Sequence, residues 1–126
     1  DIQKSLHNVK RPPIHVEIDG LDYFDNRQAI LFADVKSTRK LEVLVSDISD
    51  SLTPLGLKFE PRPYRPHVTL ARLKKTQKDK TEIYIKRHAK NIKGSFRADS
   101  FQLLKSGKPD EKGAVYSILE NYPLSR

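Results

Sequence analysis

The sequence predicts an α+β fold with antiparallel sheet, and three observations lead to that prediction. Short segments of strand-like alternation lie on both sides of one strongly amphipathic helix. Neighbouring strand segments follow each other through short polar connections, which is typical of antiparallel pairing. The 126 residues, 37% hydrophobic and 32% charged, are enough for one compact domain with a buried core.

The first 35 residues are predicted to contain a helix end and two strands. Pro12 cannot continue a helix, and the alternation of Ile14, Val16 and Ile18 with polar residues is that of a half-buried strand. The elements in order are a helix end over residues 1–9, a strand over 14–18 closed by Gly20, a connection over 22–27, and a more apolar, central strand over 29–35.

The clearest helix follows, because six apolar residues share one face: Leu41, Leu44, Val45, Ile48, Leu52 and Leu55. Ser37 or Thr38 can cap its start, and Gly56 can end it. The remaining elements are an extended proline-rich run over residues 60–66, a strand over 67–73, a lysine-rich loop over 74–80, a helix over 82–92, and an antiparallel pair of strands over 96–105 and 114–122.

Composition limits the function classes. The absence of cysteine excludes disulfides and cysteine-based metal sites, no apolar run is long enough to span a bilayer, and no secretory signal opens the chain, so a cytoplasmic protein is expected. The net charge of +8 and the pI near 9.7 favour polyanionic partners such as RNA, although a lysine-rich surface can serve solubility alone. The chain opens on Asp1 and contains no methionine, so we expect that its natural N-terminal part is missing.

One of the four histidines has neighbours that suit catalysis. Alternation along a strand puts His67, Thr69 and Ala71 on one face, with Val68 and Leu70 anchoring the other face in the core. An imidazole can move a proton near neutral pH, and a hydroxyl can donate to a phosphate oxygen.

Arg72 follows at the strand end, where a bend or bulge could turn its guanidinium toward the same phosphate. The alternative for His67 is a buried or edge-strand histidine with an energetically minor hydrogen bond to Thr69. The other histidines, His7, His15 and His88, are predicted to be surface residues, and no metal site is expected.

The segment Pro63-Tyr64-Arg65-Pro66-His67-Val68-Thr69-Leu70-Ala71-Arg72-Leu73 resembles the second motif of the RNA 2',3'-cyclic phosphodiesterases, also called 2'-5' RNA ligases, of the two-histidine (2H) phosphoesterases. Four other segments are similar to the same family, in the same order: residues 18–24, 52–57, 96–106 and 113–119. The resemblance therefore covers nearly the whole chain.

That resemblance implies two lobes, each an antiparallel sheet with helices outside, and a groove that holds two His-x-Thr motifs. It also implies catalysis without metal or other cofactor, in which one histidine is the base and the other the acid. By resemblance His67 and Thr69 are catalytic, and Thr69 and Arg72 bind phosphate. Tyr64 is a possible substrate contact that could stack on a base, and the alternative is that it packs beside the proline run. The implied partners are RNA 3' ends or nucleoside 2',3'-cyclic phosphates, with a monomer expected.

The sequence departs from the family at its first motif. None of the other three histidines has Thr or Ser two positions later, and the family's opening strand and helix have no counterpart. We therefore expect residues 1–126, an N-terminally incomplete single domain, to be inactive alone while the parent protein is an enzyme. The alternative is a non-catalytic basic module that binds RNA or phosphate through lysine-rich surfaces.

Overall fold

The computed structural model describes residues 1–25, 29–59, 64–74, 77–107 and 115–125. The chain divides into two compact units. The first unit comprises Asp1–Ile14, Arg39–Pro61 and Arg97–Arg126, and the second comprises His15–Thr38 and Arg62–Phe96. None of the helices in the described part of the chain is long and apolar enough to cross a membrane.

The described residues contain both helices and antiparallel strand pairs, which confirms the α+β prediction. The elements are α1 (Ile2–Leu6), β1 (Ile14–Asp25), β2 (Ala29–Val35), α2 (Arg39–Leu52), β3 (His67–Leu73), α3 (Lys78–His88), β4 (Lys93–Ala98), β5 (Ser100–Ser106) and β6 (Tyr116–Pro123). Short 3₁₀ turns, Thr53–Leu55 and Ala89–Asn91, extend α2 and α3.

The first unit is built from α1, α2 and the antiparallel pair β5–β6. Its core contains Leu6, Leu52 and Tyr122, with Ile48 and the β5 side chains Phe101 and Leu103 packed against them. Leu44 and Leu52 are buried on α2, as the apolar stripe predicted. The turn after α2 ends at Gly56 in the left-handed region, with φ of 86°, which confirms the predicted stop.

The second unit contains a four-stranded sheet in the order β3-β2-β1-β4 and the helix α3. The bounds of β2 and β3 and the interior position of β2 are as predicted. The Tyr23 hydroxyl on β1 donates to a Glu82 carboxylate oxygen on α3 at 2.6 Å. Leu31 on β2, Ala71 on β3 and Tyr84 on α3 help to line a cavity of about 250 Å³. The face of the sheet that carries Tyr23, Leu31 and Ala71 is therefore the one that α3 covers.

Three predicted boundaries are wrong. Gly20 does not close β1, which continues to Asp25 through a register shift between Ile18 and Leu21. With φ of 98°, Gly20 adopts a conformation that suits an irregularity within a strand as well as a turn. The segment predicted as a connection, residues 22–27, is therefore strand as far as Asp25.

The other two errors concern the second half of the chain. Residues 96–105 form the end of β4 and most of β5, which lie in different sheets and are separated at Asp99. Asp99 accepts a backbone hydrogen bond from Leu124 at 2.7 Å. The helix α3 begins at Lys78, inside the segment predicted as a loop. Alternation does not mark the break at Asp99, because that break depends on which sheet each half of the segment joins.

Candidate active site

The candidate site lies on the edge strand β3, on the face of the sheet opposite α3. In the antiparallel pairing with β2, His67 lies opposite Asp34 and Thr69 opposite Phe32. Residues directly opposite each other in such a pair point to the same face. His67 and Thr69 therefore share one face, as predicted.

A register shift on β3 then changes the alternation. Phe32 pairs with Thr69 while Leu31 pairs with Ala71, so Leu70 is an extra residue on β3. Arg72 pairs with Ile30, two residues before Phe32, and so returns to the face of His67 and Thr69. The bulge that the sequence allowed is present.

The same bulge corrects the prediction for Ala71. Its side chain points to the opposite face, where it lines the cavity beside α3. Val68 and Leu70, predicted to anchor β3 in the core, are 40% and 53% exposed. An edge strand has a neighbour on one side only, and Leu70 is the bulged residue, so neither side chain is enclosed.

The imidazole of His67 is held by a backbone carbonyl and two aromatic rings. Its Nδ1 lies 2.9 Å from the carbonyl oxygen of Arg65. The rings of Phe24 and Phe32 meet it edge-on, with centroids at 5.1 and 5.2 Å. Because a carbonyl can only accept, the neutral imidazole carries its hydrogen on Nδ1. Nε2 then keeps the lone pair that can accept a proton. No residue that the structure describes forms a hydrogen bond with Nε2.

Arg65 was not anticipated as part of this site. Its guanidinium donates to Asp22 at 2.8 Å and to Asp34 at 3.4 Å. It also lies over the Phe32 ring, 5.0 Å from the centroid. The hydrogen bond to Asp22 is the main cause that raises the pKa of Arg65. Alternation alone does not reveal this cluster, because the register shift after Ile18 turns Asp22 and Phe24 to the face opposite Ile18.

Arg72 and Thr69 are differently placed. Both are exposed, and within the described ranges neither the Arg72 guanidinium nor the Thr69 hydroxyl has a protein partner. Tyr64, the possible substrate contact, is 50% exposed, and partial burial raises the pKa of its hydroxyl. The His67 ring nitrogen that can accept a proton therefore shares a face with the Thr69 hydroxyl and the Arg72 guanidinium, neither of which has a partner among the described residues.

The other histidines lie apart from such groups. His7 faces Glu120 at 3.5 Å, His15 faces Glu17 at 3.4 Å, and the ring of His88 packs on Tyr84. In the part of the chain that the structure describes, no three His, Cys, Asp or Glu side chains form a group that could hold a metal ion.

Comparison with known proteins places these features in a family context. The LigT-like phosphoesterase family matches residues 33–116, a range that contains β3. An RNA 2',3'-cyclic phosphodiesterase of Geobacillus stearothermophilus is 33% identical over 66 residues, which are 51% of this chain and 21% of that protein. The match thus spans about a fifth of that relative's length.

Two solved structures share the fold. E. coli LigT, crystallised with 3'-AMP, superposes with a TM-score of 0.75 at 17% identity, over 99% of this chain and 67% of its own. The protein TT0787 of Thermus thermophilus gives a TM-score of 0.67 at 20% identity, over 97% of this chain and 67% of its own. At these identities the likeness concerns the fold.

Proposed function

Because this chain belongs to the LigT-like phosphoesterases, we propose that the protein to which it contributes opens terminal 2',3'-cyclic phosphates of RNA, with His67 as one of two proton-transfer groups. The observation that carries the proposal is the shared face of His67, Thr69 and Arg72 on β3. The relative from Geobacillus, named for the same reaction, supports the substrate class.

The chemistry assigns each group a role. His67 Nε2 accepts a proton from water as the water oxygen attacks phosphorus. The Thr69 hydroxyl donates to a non-bridging phosphate oxygen, and Arg72 offsets the negative charge that grows there. The bond from phosphorus to the 3' oxygen breaks, which leaves a 2'-phosphate, and the 3' oxygen takes a proton from a second acid. If the 5'-hydroxyl of another RNA replaced water as the nucleophile, the same bond to the 3' oxygen would break and the two RNA ends would be joined through a 2'-5' linkage.

Residues 1–126 contain one His-x-Thr sequence, His67-Val68-Thr69, so no second such motif is present to provide the acid. We infer that the partner histidine lies elsewhere in the complete protein. No cofactor is required by this scheme, because both proton transfers and the charge stabilisation come from side chains.

The test is hydrolysis of a nucleoside 2',3'-cyclic phosphate by the full-length protein and two histidine variants. His67→Gln keeps a similar size but cannot transfer the proton, so kcat should fall by ~10²-fold or more. The matched control, His15→Gln, alters an exposed histidine beside Glu17 and should leave the rate within about twofold. Equal rates for both variants would contradict the assignment of His67.

The same variants separate catalysis from simple RNA binding. A basic module that binds RNA through phosphate contacts should lose affinity steeply with salt and should not respond to His67→Gln. A site for cyclic ends should instead prefer RNA with a terminal 2',3'-cyclic phosphate over the same RNA with a 3'-hydroxyl. Absence of both turnover and this preference would favour the binding module.

A further inference from the structure

We propose that Arg65 is a positioning residue for His67: its guanidinium, held by Asp22 and Asp34 over the Phe32 ring, fixes the carbonyl oxygen that binds His67 Nδ1. The catalytic meaning of this arrangement rests on the proposed function. The arrangement itself is a property of the free protein, and it can be tested without any substrate.

The Arg65 carbonyl oxygen, which accepts the hydrogen bond from His67 Nδ1, is already restrained on one side by Pro66. It belongs to the peptide between Arg65 and Pro66, and Pro66 is buried immediately before β3. Proline fixes its own φ and keeps the preceding residue extended. With one end of this peptide restrained by Pro66, the direction of the carbonyl depends on where Arg65 is held.

The side chain of Arg65 supplies that second restraint. Asp22 belongs to β1 and Asp34 to β2, while Arg65 lies just before β3. One guanidinium therefore joins the segment before β3 to β1 at 2.8 Å and to β2 at 3.4 Å. A planar guanidinium with five donors can serve two carboxylates and stack on a ring at once, whereas a lysine ammonium is a single point charge.

Arg65 and Arg72 are thereby separated in function. A phosphate at Arg65 would have to displace two carboxylates and would meet their negative charge. Arg72 has no acidic partner among the residues that the structure describes. We assign phosphate binding to Arg72 and positioning to Arg65. Because the Arg65 ion pairs are about half exposed, their loss should alter the protein's overall stability little.

The first experiment reads the hydrogen on the His67 ring. Long-range ¹H–¹⁵N correlation spectra of the full-length protein, recorded where His67 is neutral, distinguish a ring with hydrogen on Nδ1 from one with hydrogen on Nε2. The wild type should show the Nδ1–H form. Arg65→Met and the double variant Asp22→Asn with Asp34→Asn should both shift His67 toward a mixture of the two forms. Arg97→Met, which breaks an exposed ion pair with Asp99, is the matched control and should show no change.

The second experiment separates positioning from substrate binding by kinetics. Arg65→Met should lower kcat by about tenfold with KM within about twofold, because small displacements of a catalytic group cost rate more than ground-state affinity. Arg65→Lys should recover part of the lost rate. Arg72→Ala should instead raise KM.

The outcomes are distinct. An unchanged Nδ1–H signal in both Arg65→Met and the double aspartate variant would overturn the proposal, as would a rise in KM for Arg65→Met as large as that for Arg72→Ala. If no form of the protein hydrolyses cyclic phosphates, the proposed function fails. The ring signals would still decide whether Arg65 positions His67.

Discussion

Replacement of Phe32 by leucine tests whether the ring beneath His67 and Arg65 also stabilises the second unit against unfolding. Phe32 is fully buried, with 0% of its side chain exposed. Its ring stacks on Phe24 with centroids 4.4 Å apart, and it lies under both the His67 ring and the Arg65 guanidinium. Leucine keeps a branched apolar side chain and removes the ring contacts.

The magnitude follows from the contacts that are lost. A stacked aromatic pair is worth about 0.5–1.5 kcal/mol beyond burial, and a cation over a ring at a partly exposed site about 0.5–1 kcal/mol. Phe32→Leu should therefore lower the free energy of unfolding by about 1–2.5 kcal/mol. For a chain of this size that corresponds to a fall in Tm of roughly 4–12 °C.

Urea unfolding followed by circular dichroism measures this change. Phe96→Leu is the matched control, because Phe96 is 48% exposed on β4, and its effect should stay within about 0.5 kcal/mol. A double-mutant cycle with Phe24→Leu should return a coupling energy of about 0.5–1.5 kcal/mol for the stacked pair. A Phe32→Leu cost no greater than that of Phe96→Leu, or a coupling energy near zero, would refute the reasoning.

Three further predictions concern the rest of the chain. Gly56→Ala should lower the free energy of unfolding by about 1–2 kcal/mol, because Gly56 has a φ of 86° that side chains disfavour, although a Cβ there would meet open space. The control is Gly94→Ala, which lacks the positive φ and should change thermal stability little. The hydrogen bond from Arg11 is the main cause that lowers the pKa of Asp47 in the folded protein. The stability that this pair contributes should be fully present above the ordinary aspartate pKa of about 3.9, and it should be lost as the pH falls through the lower folded pKa. Urea midpoints below pH 5 should show this loss for the wild type and a smaller loss for Asp47→Asn. The 126-residue chain alone should not turn over a nucleoside 2',3'-cyclic phosphate, and turnover that His67→Ala abolishes would place a second acid or base within these residues.

Prediction from sequence succeeded where a local pattern had one structural outcome. The largely apolar segment over residues 29–35 became the interior strand β2, and the apolar stripe before Gly56 became α2. The strand over residues 67–73 has its predicted bounds, and His67 and Thr69 share a face there. The family resemblance, carried by the segment around His67, is confirmed by the matching family. The charge-based expectation of an RNA partner stays a prediction.

Prediction failed where the outcome depended on a distant neighbour. Gly20 predicts a strand end, which puts Asp22 and Phe24 in a connection, whereas the structure has them on β1 in contact with Arg65 and His67. The proline run over residues 60–66 is described only from Tyr64 onward, so most of that prediction lies outside the described residues.

The sequence by itself determined the chemistry that β3 can offer. An imidazole, a hydroxyl and a guanidinium occur within six residues, in a segment whose alternation requires a strand. Only the tertiary structure decided on which face of the sheet each of these side chains lies. The pairing with β2 makes Leu70 an extra residue, so that Arg72 turns to the face of His67 and Ala71 turns away. A bulge and an ion pair across three chain segments depend on register, and register is set by the partner strand, which local sequence does not specify.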